Sequence, residues 1–464
     1  MLEMVIAILL GWNEVFARER TAKRAIRQAL SSACVLGRRT IARSILVREQ
    51  EGEGAGEEKA KDWSADYRLH SRSPWEAQDL FDPILKRAIA RSEGELLALA
   101  TDDTQFKKSG KKIATARFGR DPMSPPFHVN LRLGIRFLHT SVLLPLHDTD
   151  GVSARAIPVW FEEVPSVKKP GTKASDEERA AYRKAKKERN LSTEAVEMFK
   201  AVRKKVDEAG GADKTLAFGL DGSFTNRTTF RAALERTHLI GRVRKDAKLC
   251  FRSAEKRRVY ATTSFTPESV LKDGEVAWQE ARIFHGGAWR QVQYKQLDHV
   301  LWRGGAGKRE LRLLVVKPTP YRLTKKGRML WREPAFLLCT KTEGEATPWL
   351  QVYFDRLHIE VAHRELKDTF GVAEAQVRNP LAVPRQPALS VATYSALHLA
   401  SLEAFGARRN EALGPLPRWQ REKTRASCQE LIRYLRHEVV THPEVLAPFG
   451  LSITEKSLLA AATT

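Results

Sequence analysis

YFDRLHIEVAHRELKDTF, residues 353–370, is a long helical pattern that contains neither Pro nor Gly. A helix turns by about 100° per residue, and on that spacing the apolar residues in and beside the stretch fall on one side. They are Val352, Ile359, Ala362, Leu366 and Phe370. We therefore predict one helix here, with an apolar face toward the core and a polar face away from it.

The polar face of this predicted helix carries four different functional groups. They are Tyr353, Arg356, Glu360 and Lys367, which lie along one edge over about three turns. A phenol, a guanidinium, a carboxylate and an ammonium in a row suit a phosphate backbone held beside a metal ion. Arg356 and Glu360 could also be an ordinary exposed i,i+4 ion pair. Glu365 lies about 120° round the helix from Tyr353, away from this edge.

Two acidic positions upstream each follow a short apolar run. ELLALAT (95–101) precedes Asp102, Asp103 and Thr104, and the run 215–220 precedes Asp221, Gly222 and Ser223. The carboxyl ends of strands gather functional residues in an α/β sheet, so Asp103, Asp221 and Glu360 are predicted to form one site. The alternative is that each Asp is only a turn or helix-cap residue.

Three carboxylates at one place predict a magnesium site. Mg²⁺ prefers a few carboxylate oxygens together with water and substrate phosphate oxygens. Two such ions, about 3.5–4 Å apart, activate a water or a 3′-hydroxyl on one side of a phosphodiester and stabilise the leaving oxygen on the other. The predicted chemistry is therefore phosphoryl transfer on nucleic acid.

Composition points to the same kind of partner. The chain has 464 residues with 79 basic and 56 acidic side chains, a formal net charge of +23 that favours a polyanion. Its length suggests two to four domains. No apolar run reaches the roughly 20 residues of a membrane span, and the four scattered cysteines form no zinc or disulfide pattern. We expect a cytoplasmic protein with no membrane partner.

The N-terminal region is predicted to be helical and basic. Gly37 separates two helical patterns and is followed by Arg38, Arg39 and Arg43, as in the turn and second helix of a helix-turn-helix. A merely solvated basic face is the alternative. The predicted organisation is a helical DNA-binding region (1–92), a first core part (93–236), a β-rich insertion (237–334), a second core part with the helix (335–405) and a helical C-terminal region (406–464).

These motifs resemble the DDE transposases of bacterial insertion sequences, in the group marked by the signature Y-(2)-R-(3)-E-(6)-K. Tyr353, Arg356, Glu360 and Lys367 match that signature without a gap. The first-Asp motif of the group resembles Asp102-Asp103-Thr104, and the second resembles Asp221-Gly222-Ser223-Phe224. The similarity covers about residues 95–380. The residue directly before Thr matches the family better, so the resemblance favours Asp103 over Asp102 as the metal ligand.

The resemblance implies a ribonuclease-H-like core interrupted by a β-rich insertion. It implies Mg²⁺-dependent cleavage at terminal inverted repeats, with Mn²⁺ as a substitute, and attack of the freed 3′-hydroxyl on target DNA. A homodimer that joins two transposon ends, associated with the bacterial nucleoid, would be expected. Tyr353, Arg356 and Lys367 would contact the transposon end. Related members flip a base onto an aromatic residue of the insertion, for which Trp278, Trp289 and Trp302 are candidates, although such residues are more often sheet core.

Other functions account for fewer of the motifs. RGGAGKRE, residues 303–310, is not a phosphate-binding loop, because Arg309 stands where Ser or Thr is needed. A DNA-binding regulator that uses the same fold without cleaving is an alternative, although all three acidic positions are present. A ribonuclease-H-like nuclease or resolvase is another, but it leaves the basic N-terminal region and the helix signature unexplained.

Overall fold

A mixed ten-stranded sheet runs through the centre of the computed structural model, which describes residues 1–48, 63–110, 112–121, 124–125, 127–145, 152–324, 327–420 and 423–463. Its strands, together with those of a separate two-stranded ribbon, β10–β11, are β1 (Leu96–Lys107), β2 (Arg117–Arg120), β3 (Leu131–Leu144), β4 (Arg155–Glu163), β5 (Thr215–Leu220), β6 (Thr237–Arg242), β7 (Gln279–His285), β8 (Ala288–Leu301), β9 (Glu310–Val316), β10 (Pro320–Tyr321), β11 (Leu330–Trp331) and β12 (Ala335–Cys339). The sheet order is β2-β3-β1-β5-β6-β12-β9-β8-β7. Strand β4 pairs with the same edge of β3 as β2, farther along it.

The α-helices lie before, between and after these strands. They are α1 (Leu2–Leu9), α2 (Glu19–Cys34), α3 (Ile41–Leu46), α4 (Ser64–Ser71), α5 (Asp82–Ala90), α6 (Asp176–Glu188), α7 (Leu191–Glu208), α8 (Arg227–Arg231), α9 (Pro267–Lys272), α10 (Thr347–Asp355), α11 (His358–Arg364), α12 (Ala382–Phe405), α13 (Cys428–Thr441), α14 (Pro443–Leu446) and α15 (Glu455–Thr463). The predicted α/β class is confirmed. None of these helices is long and apolar enough to cross a membrane in the part of the chain that is described.

The centre of the sheet combines parallel and antiparallel strands. Strands β1, β5 and β6 run parallel, whereas β3 pairs antiparallel with both β1 and β4. Helix α7 covers one face, where Met198 contacts Thr140 and Phe199 packs on Phe218. Helix α10 covers the other face, and it comes so close to β5 that a side chain at Gly219 would meet Val352 and Arg356. The sheet is therefore buried on both faces at its centre.

Two of the predicted segments are continuous with the rest of the protein in the structure. The β-rich insertion is not a separate sheet, because β7, β8 and β9 extend the central sheet through β12. The N-terminal helices are not a separate module either, because α1 and α2 pack on α12 and contribute to the main hydrophobic core. Both pairings connect segments far apart in the chain, so local sequence patterns contain no signal for them.

Candidate metal site and nucleic-acid interface

The first pair of acidic residues lies inside a strand, not after one as the sequence suggested. Strand β1 continues through Asp102 and Asp103 to Lys107, so these two side chains point to opposite faces of the sheet. Asp102 pairs with His139 of β3, and directly paired residues share a face. The His139 ring is hydrogen-bonded to His363 of α11 at 2.8 Å. Asp102 therefore lies on the face covered by the helix that carries Glu360.

Asp103 lies on the other face and has a partner of its own. Its carboxylate forms an ion pair with the Arg136 guanidinium at 3.1 Å. Burial raises the pKa of Asp103, and Arg136 opposes that rise. The charge of Arg136 thus offsets the cost of keeping Asp103 ionised.

Asp221 follows β5 immediately, as predicted, and caps the turn that comes next. Its Oδ1 accepts hydrogen bonds from the Ser223 backbone N–H at 2.9 Å, the Ser223 hydroxyl at 2.7 Å and the Phe224 N–H at 3.1 Å. All three bonds use Oδ1, which leaves the second oxygen in position for a ligand. The Asx-turn alternative is therefore also realised, and it holds the carboxylate in one orientation.

Asp102 and Asp221 lie side by side, Asp102 within β1 and Asp221 just after the end of the parallel strand β5. Thr101 pairs with Leu220 in the β1–β5 ladder, so the next residues along are Asp102 and Asp221. Burial, together with the charges of Asp221 and Asp103, raises the pKa of Asp102 to about 7. Neighbouring carboxylates destabilise one another's ionised form, and a divalent cation bound between them offsets that repulsion.

Residues 353–370 carry Tyr353, Arg356, Glu360 and Lys367, and we call them the signature stretch. They do not form the single helix that their sequence predicts. Helix α10 ends at Asp355, a turn follows at 356–357, α11 spans His358–Arg364, and a π-helical turn covers Glu365–Thr369. At the break, the N–H groups of Ile359 and Glu360 bond three residues back instead of four. The break lets α10 pack over β5 and β6 while α11 packs over β1 and β4. The predicted apolar face is nevertheless correct, since its five residues are all buried.

Arg356 is the most unusual residue of this stretch. Only 8% of it is exposed, and its Nη2 donates to Glu360 Oε1 at 3.2 Å. Its Nε and Nη1 atoms are buried and have no hydrogen-bond partner among the described residues. An unpaired guanidinium N–H in a buried place is costly, and a phosphate oxygen would satisfy it.

Glu360 and Arg356 face the acidic strand ends. The Glu360 side chain is 56% exposed, and Arg356 also acts electrostatically on Asp102, where it lowers the pKa against the effect of burial. We call Asp102, Asp103, Asp221 and Glu360 the acidic edge. Arg356 thus lies between the strand carboxylates and the helix carboxylate.

Comparison with known proteins adds no assignment to the acidic edge. No family model matches the chain, and no curated protein matches it. Its chemistry therefore follows from its own residues. The donor set of Asp102, Asp221 and Glu360, three carboxylates of which Asp102 has a raised pKa, fits a hard divalent cation such as Mg²⁺.

The ligand atoms that lie closest together belong to a different cluster. Among the described residues, one group of His, Cys, Asp or Glu has three ligand atoms all within 4.8 Å, namely Glu365, His398 and Cys428. The carboxylates of the acidic edge are more widely spaced than this. We call these three residues, with Tyr394, the Glu365 cluster.

The protonation of the Glu365 cluster does not suit a metal ion. Arg155 donates to Nδ1 of His398 at 2.9 Å, so the neutral ring carries its proton on Nε2, the atom that faces Glu365 at 3.6 Å. Burial raises the pKa of Cys428, which opposes the thiolate that a metal requires. Tyr394 donates its hydroxyl to Glu365 at 2.6 Å. The carboxylate of Glu365 and Nδ1 of His398 are therefore engaged within the protein, whereas Nε2 of His398 is buried without a hydrogen-bond partner among the described residues.

Lys367 and Tyr353 complete the predicted stripe and are both partly buried. The Lys367 ammonium lies 5.6 Å from the centre of the Phe106 ring, and burial lowers its pKa, with Arg132 adding to the effect. Lys367 lines a cavity of about 450 Å³ together with Arg38, Lys107 and Arg132. This basic cavity lies beside the acidic edge and fits an anionic ligand.

The three N-terminal arginines do not behave alike. Arg38 is exposed and faces the basic cavity, a position that sequence reasoning did not anticipate. The Arg39 guanidinium donates to the carbonyl oxygens of Ser32 and Thr369, so it is engaged within the protein instead of being available to bases. Arg43 folds back toward Gly37. Of the three arginines, Arg38 alone lines the basic cavity, and it precedes α3 instead of lying in it, so a base-reading role for this region stays a prediction.

The tryptophans of the insertion divide into core and surface residues. Trp302 packs against Phe230, and Trp289 packs against Phe284 with Arg282 over its ring. Trp278 is exposed, with the ammonium groups of two lysines 4.8 Å and 5.2 Å from its ring centre. Trp278 is thus the one of the three that presents a ring to solvent.

Proposed function

We propose that this protein is a DNA transposase of the DDE type, which cleaves the ends of a mobile element and joins the freed 3′-hydroxyl to target DNA. The observation that carries the proposal is the arrangement of Asp102, Asp221, Glu360 and the unsatisfied Arg356 at one place. Carboxylates for a metal ion and buried N–H groups for a phosphate lie next to each other there.

The strand order supports a ribonuclease-H-like core as the finer fold class. An antiparallel unit, β1, β3 and β4, continues into parallel strands β5 and β6, with acidic residues on β1 and after β5. This is the arrangement that the family resemblance leads one to expect, and the signature stretch returns to the same face through α10 and α11. We assign the core to that class on this basis.

Asp102, Asp221 and Glu360 are the residues that we propose to hold Mg²⁺, or Mn²⁺ in its place. The bound ions would activate the attacking water or 3′-hydroxyl and stabilise the leaving oxygen. Strand pairing favours Asp102 over the Asp103 that the motif alone favoured, because Asp102 shares a face with the signature stretch. Asp103, held by Arg136, then sets the charge of the site from the opposite face.

The remaining residues of the stripe would bind and orient DNA. Arg356 has two N–H groups to offer to a non-bridging phosphate oxygen, which would fix the scissile phosphate between the strand carboxylates and Glu360. Lys367 and Arg38 would hold the backbone that continues into the basic cavity. A partly buried phenol at Tyr353 adds a hydrogen-bond donor at the start of the same edge.

The test is a cleavage and joining assay on DNA that flanks the gene, in which short inverted repeats are sought first. With Mg²⁺ the full chain should nick duplexes ending in such repeats and join the 3′-ends to a second DNA. Glu360→Gln should abolish both steps while leaving binding of the ends nearly unchanged. Glu197→Gln, at an exposed i,i+3 ion pair on α7, is the matched control and should behave as wild type.

The same assay separates the alternatives. Cleavage without joining would indicate a ribonuclease-H-like nuclease or resolvase. Binding of the repeats without cleavage at any Mg²⁺ or Mn²⁺ concentration would indicate a regulator and would rule out the transposase.

A further inference from the structure

The hairpin formed by β2 and the start of β3 exposes an unusual amount of apolar surface. We call its described residues (117–121, 124–125 and 127–133) the β2–β3 arm. Phe118 is 66% exposed, Phe127 91%, Val129 55% and Leu131 65%. Four large apolar side chains that are exposed within one short hairpin mark a binding surface more often than chance.

The apolar side chains of the arm continue the sheet face that carries Asp102. Phe118 pairs with Leu133 and Arg120 pairs with Leu131, so these four share one face. On the same face of β3, Ile135 and Phe137 lie between Leu133 and His139, the partner of Asp102, and both are buried, so an open route must run beside this face and not over it. From His139 to Leu133 the distance along the strand is about 20 Å, roughly six nucleotide rises of 3.4 Å.

The path between the acidic edge and the arm is basic. Arg132 of β3 lines the same cavity as Lys367 and Arg38, and this cavity lies between the two regions. In the arm itself Arg117, Arg120 and Arg132 accompany a single described acidic residue, Asp121, which lies 3.7 Å from Arg132. The cavity is lined by four basic and two acidic side chains, Asp368 and Glu374 being the acidic ones, so a polyanion that leaves the acidic edge past the cavity toward Phe118 meets a net positive surface.

Aromatic side chains interleaved with basic ones favour an unpaired nucleic-acid strand over other partners. Unpaired bases stack on exposed rings while arginines hold the phosphates, whereas the bases of a duplex already stack on one another. A second copy of this chain would bring the same positive charge to the arm, which disfavours self-association there. The chemistry of the surface thus selects single-stranded DNA.

We propose that the β2–β3 arm binds an unpaired DNA strand that extends from the acidic edge, with Phe118 stacking on a base and Arg120 contacting the neighbouring phosphate. Phe127 offers a second ring nearer the tip. The identity of the polyanion as DNA rests on the proposed function. The arm would hold the strand that is opened or released when an end is cut.

The test measures binding by the full chain of a fluorescein-labelled single-stranded oligonucleotide and of the matching duplex, without divalent metal. Phe118→Ala should weaken single-strand binding about 5- to 100-fold, the range for loss of one stacked base, and duplex binding less than twofold. Phe118→Trp should bind at least as tightly as wild type. Phe118→Leu should resemble Phe118→Ala, because leucine keeps apolar surface but cannot stack.

Two controls make the result specific. Trp419→Ala removes an exposed ring outside the arm, and Arg183→Ala removes an exposed charge on α6, which has no buried residue. Neither should change the ratio of single-strand to duplex affinity. Thermal unfolding of each variant checks that the exposed Phe118 can be replaced without loss of structure.

Three binding results would overturn the inference. They are wild-type affinity of Phe118→Ala for the single strand, equal losses for single strand and duplex, and retained binding by Phe118→Leu. A wild-type dimer that Phe118→Ala converts to monomer in sedimentation, with single-strand binding unchanged, would identify the arm as a protein interface and also overturn it. If the arm variants lose single-strand binding but the wild type never cleaves, the proposed function fails and the arm inference stands. If the wild type cleaves and the arm variants bind normally, only the arm inference fails.

Discussion

Two clusters of ionisable residues, the acidic edge and the Glu365 cluster, flank the signature stretch. They differ in how far their polar atoms have partners within the protein. The acidic edge has carboxylates whose charges raise the pKa of Asp102, and an Arg356 whose Nε and Nη1 atoms have no hydrogen-bond partner among the described residues. In the Glu365 cluster the potential ligand atoms lie closer together, and Arg155 and Tyr394 donate to Nδ1 of His398 and to the Glu365 carboxylate. The acidic edge therefore combines repelling carboxylates with unpaired donors, whereas the carboxylate of the Glu365 cluster is held by a hydrogen bond.

The comparison teaches that closeness of potential ligand atoms is a poor guide to a metal site. Atoms come close together in the Glu365 cluster because protons lie between them, and each such proton would have to leave before an ion could enter. At the acidic edge the charges of Asp221 and Asp103 act on Asp102 as like charges, and the nearby Arg356 opposes their effect on its pKa. An unsatisfied, mutually repelling set is the better candidate.

The largest expected effect distinguishes the two aspartates of the acidic edge. Asp102→Asn should lower Mg²⁺-dependent cleavage by about 10³-fold or more, since a lost metal ligand removes several kcal/mol of transition-state stabilisation. Asp103→Asn, whose carboxylate is paired with Arg136, should cost much less, about tenfold. Single-turnover rates of both variants measure this. The reverse order would return the ligand role to Asp103.

A second prediction concerns the Glu365 cluster, where substitution should affect stability and not metal dependence. Glu365→Gln should lower the free energy of unfolding by about 1–3 kcal/mol, because Arg155 and Tyr394 lose a charged, buried acceptor network. Denaturant unfolding with and without added Zn²⁺ tests this. Stabilisation of the wild type by Zn²⁺ that Glu365→Gln abolishes would show that the cluster does bind metal.

The pH dependence of stability should reveal the crowding at the acidic edge. The pKa of Asp102 is raised to about 7, from about 4 in an unfolded chain, so the folded protein holds an extra proton between these values. The stability of the metal-free protein should therefore fall as the pH rises from about 4 to about 7, and this contribution should be lost above pH 7. Asp102→Asn should flatten this slope and stabilise the metal-free protein at pH 8 by roughly 1–3 kcal/mol. The free energy of unfolding in urea is measured at pH 5 and pH 8 for the wild type and for Asp102→Asn. If it changes by the same amount in both proteins, the assignment is contradicted.

The smallest expected effect is that of replacing Lys367, which lies beside the acidic edge. Lys367→Ala should weaken DNA binding and make the slope of log affinity against log salt less steep by about one. Lys187→Ala, an exposed lysine of α6, is the control and should leave the slope nearer its wild-type value. An unchanged slope for Lys367→Ala would argue against a phosphate contact.

Some features of this molecule follow from local sequence alone. The apolar runs at 95–101, 215–220 and 334–340 predict β1, β5 and β12, because each is short and bounded by polar or turn residues. The buried face of the signature stretch follows from helical periodicity. Both kinds of pattern concern residues within a few positions of one another.

Other features depend on contacts that local patterns do not encode. The break after Asp355 arises because α10 and α11 must pack on different strands, and no Pro or Gly announces it. Successive strand residues face opposite sides of the sheet, and the register between β1 and β3 decides that Asp102 and not Asp103 faces the helix. Arg39 looked like a DNA contact because its carbonyl partner at Thr369 lies 330 residues away in the chain.

The sheet is continuous from the β2–β3 arm to β7, so the number of its strands gives the distance between its two edges. Nine strands in one path leave eight gaps of about 4.8 Å, so the two edges are about 38 Å apart before twist is taken into account. One turn of duplex DNA rises about 34–36 Å. The distance between the arm at one edge and Trp278, beside β7, at the other is therefore close to one turn of DNA, although α7 and α10 cover the faces of the sheet between them.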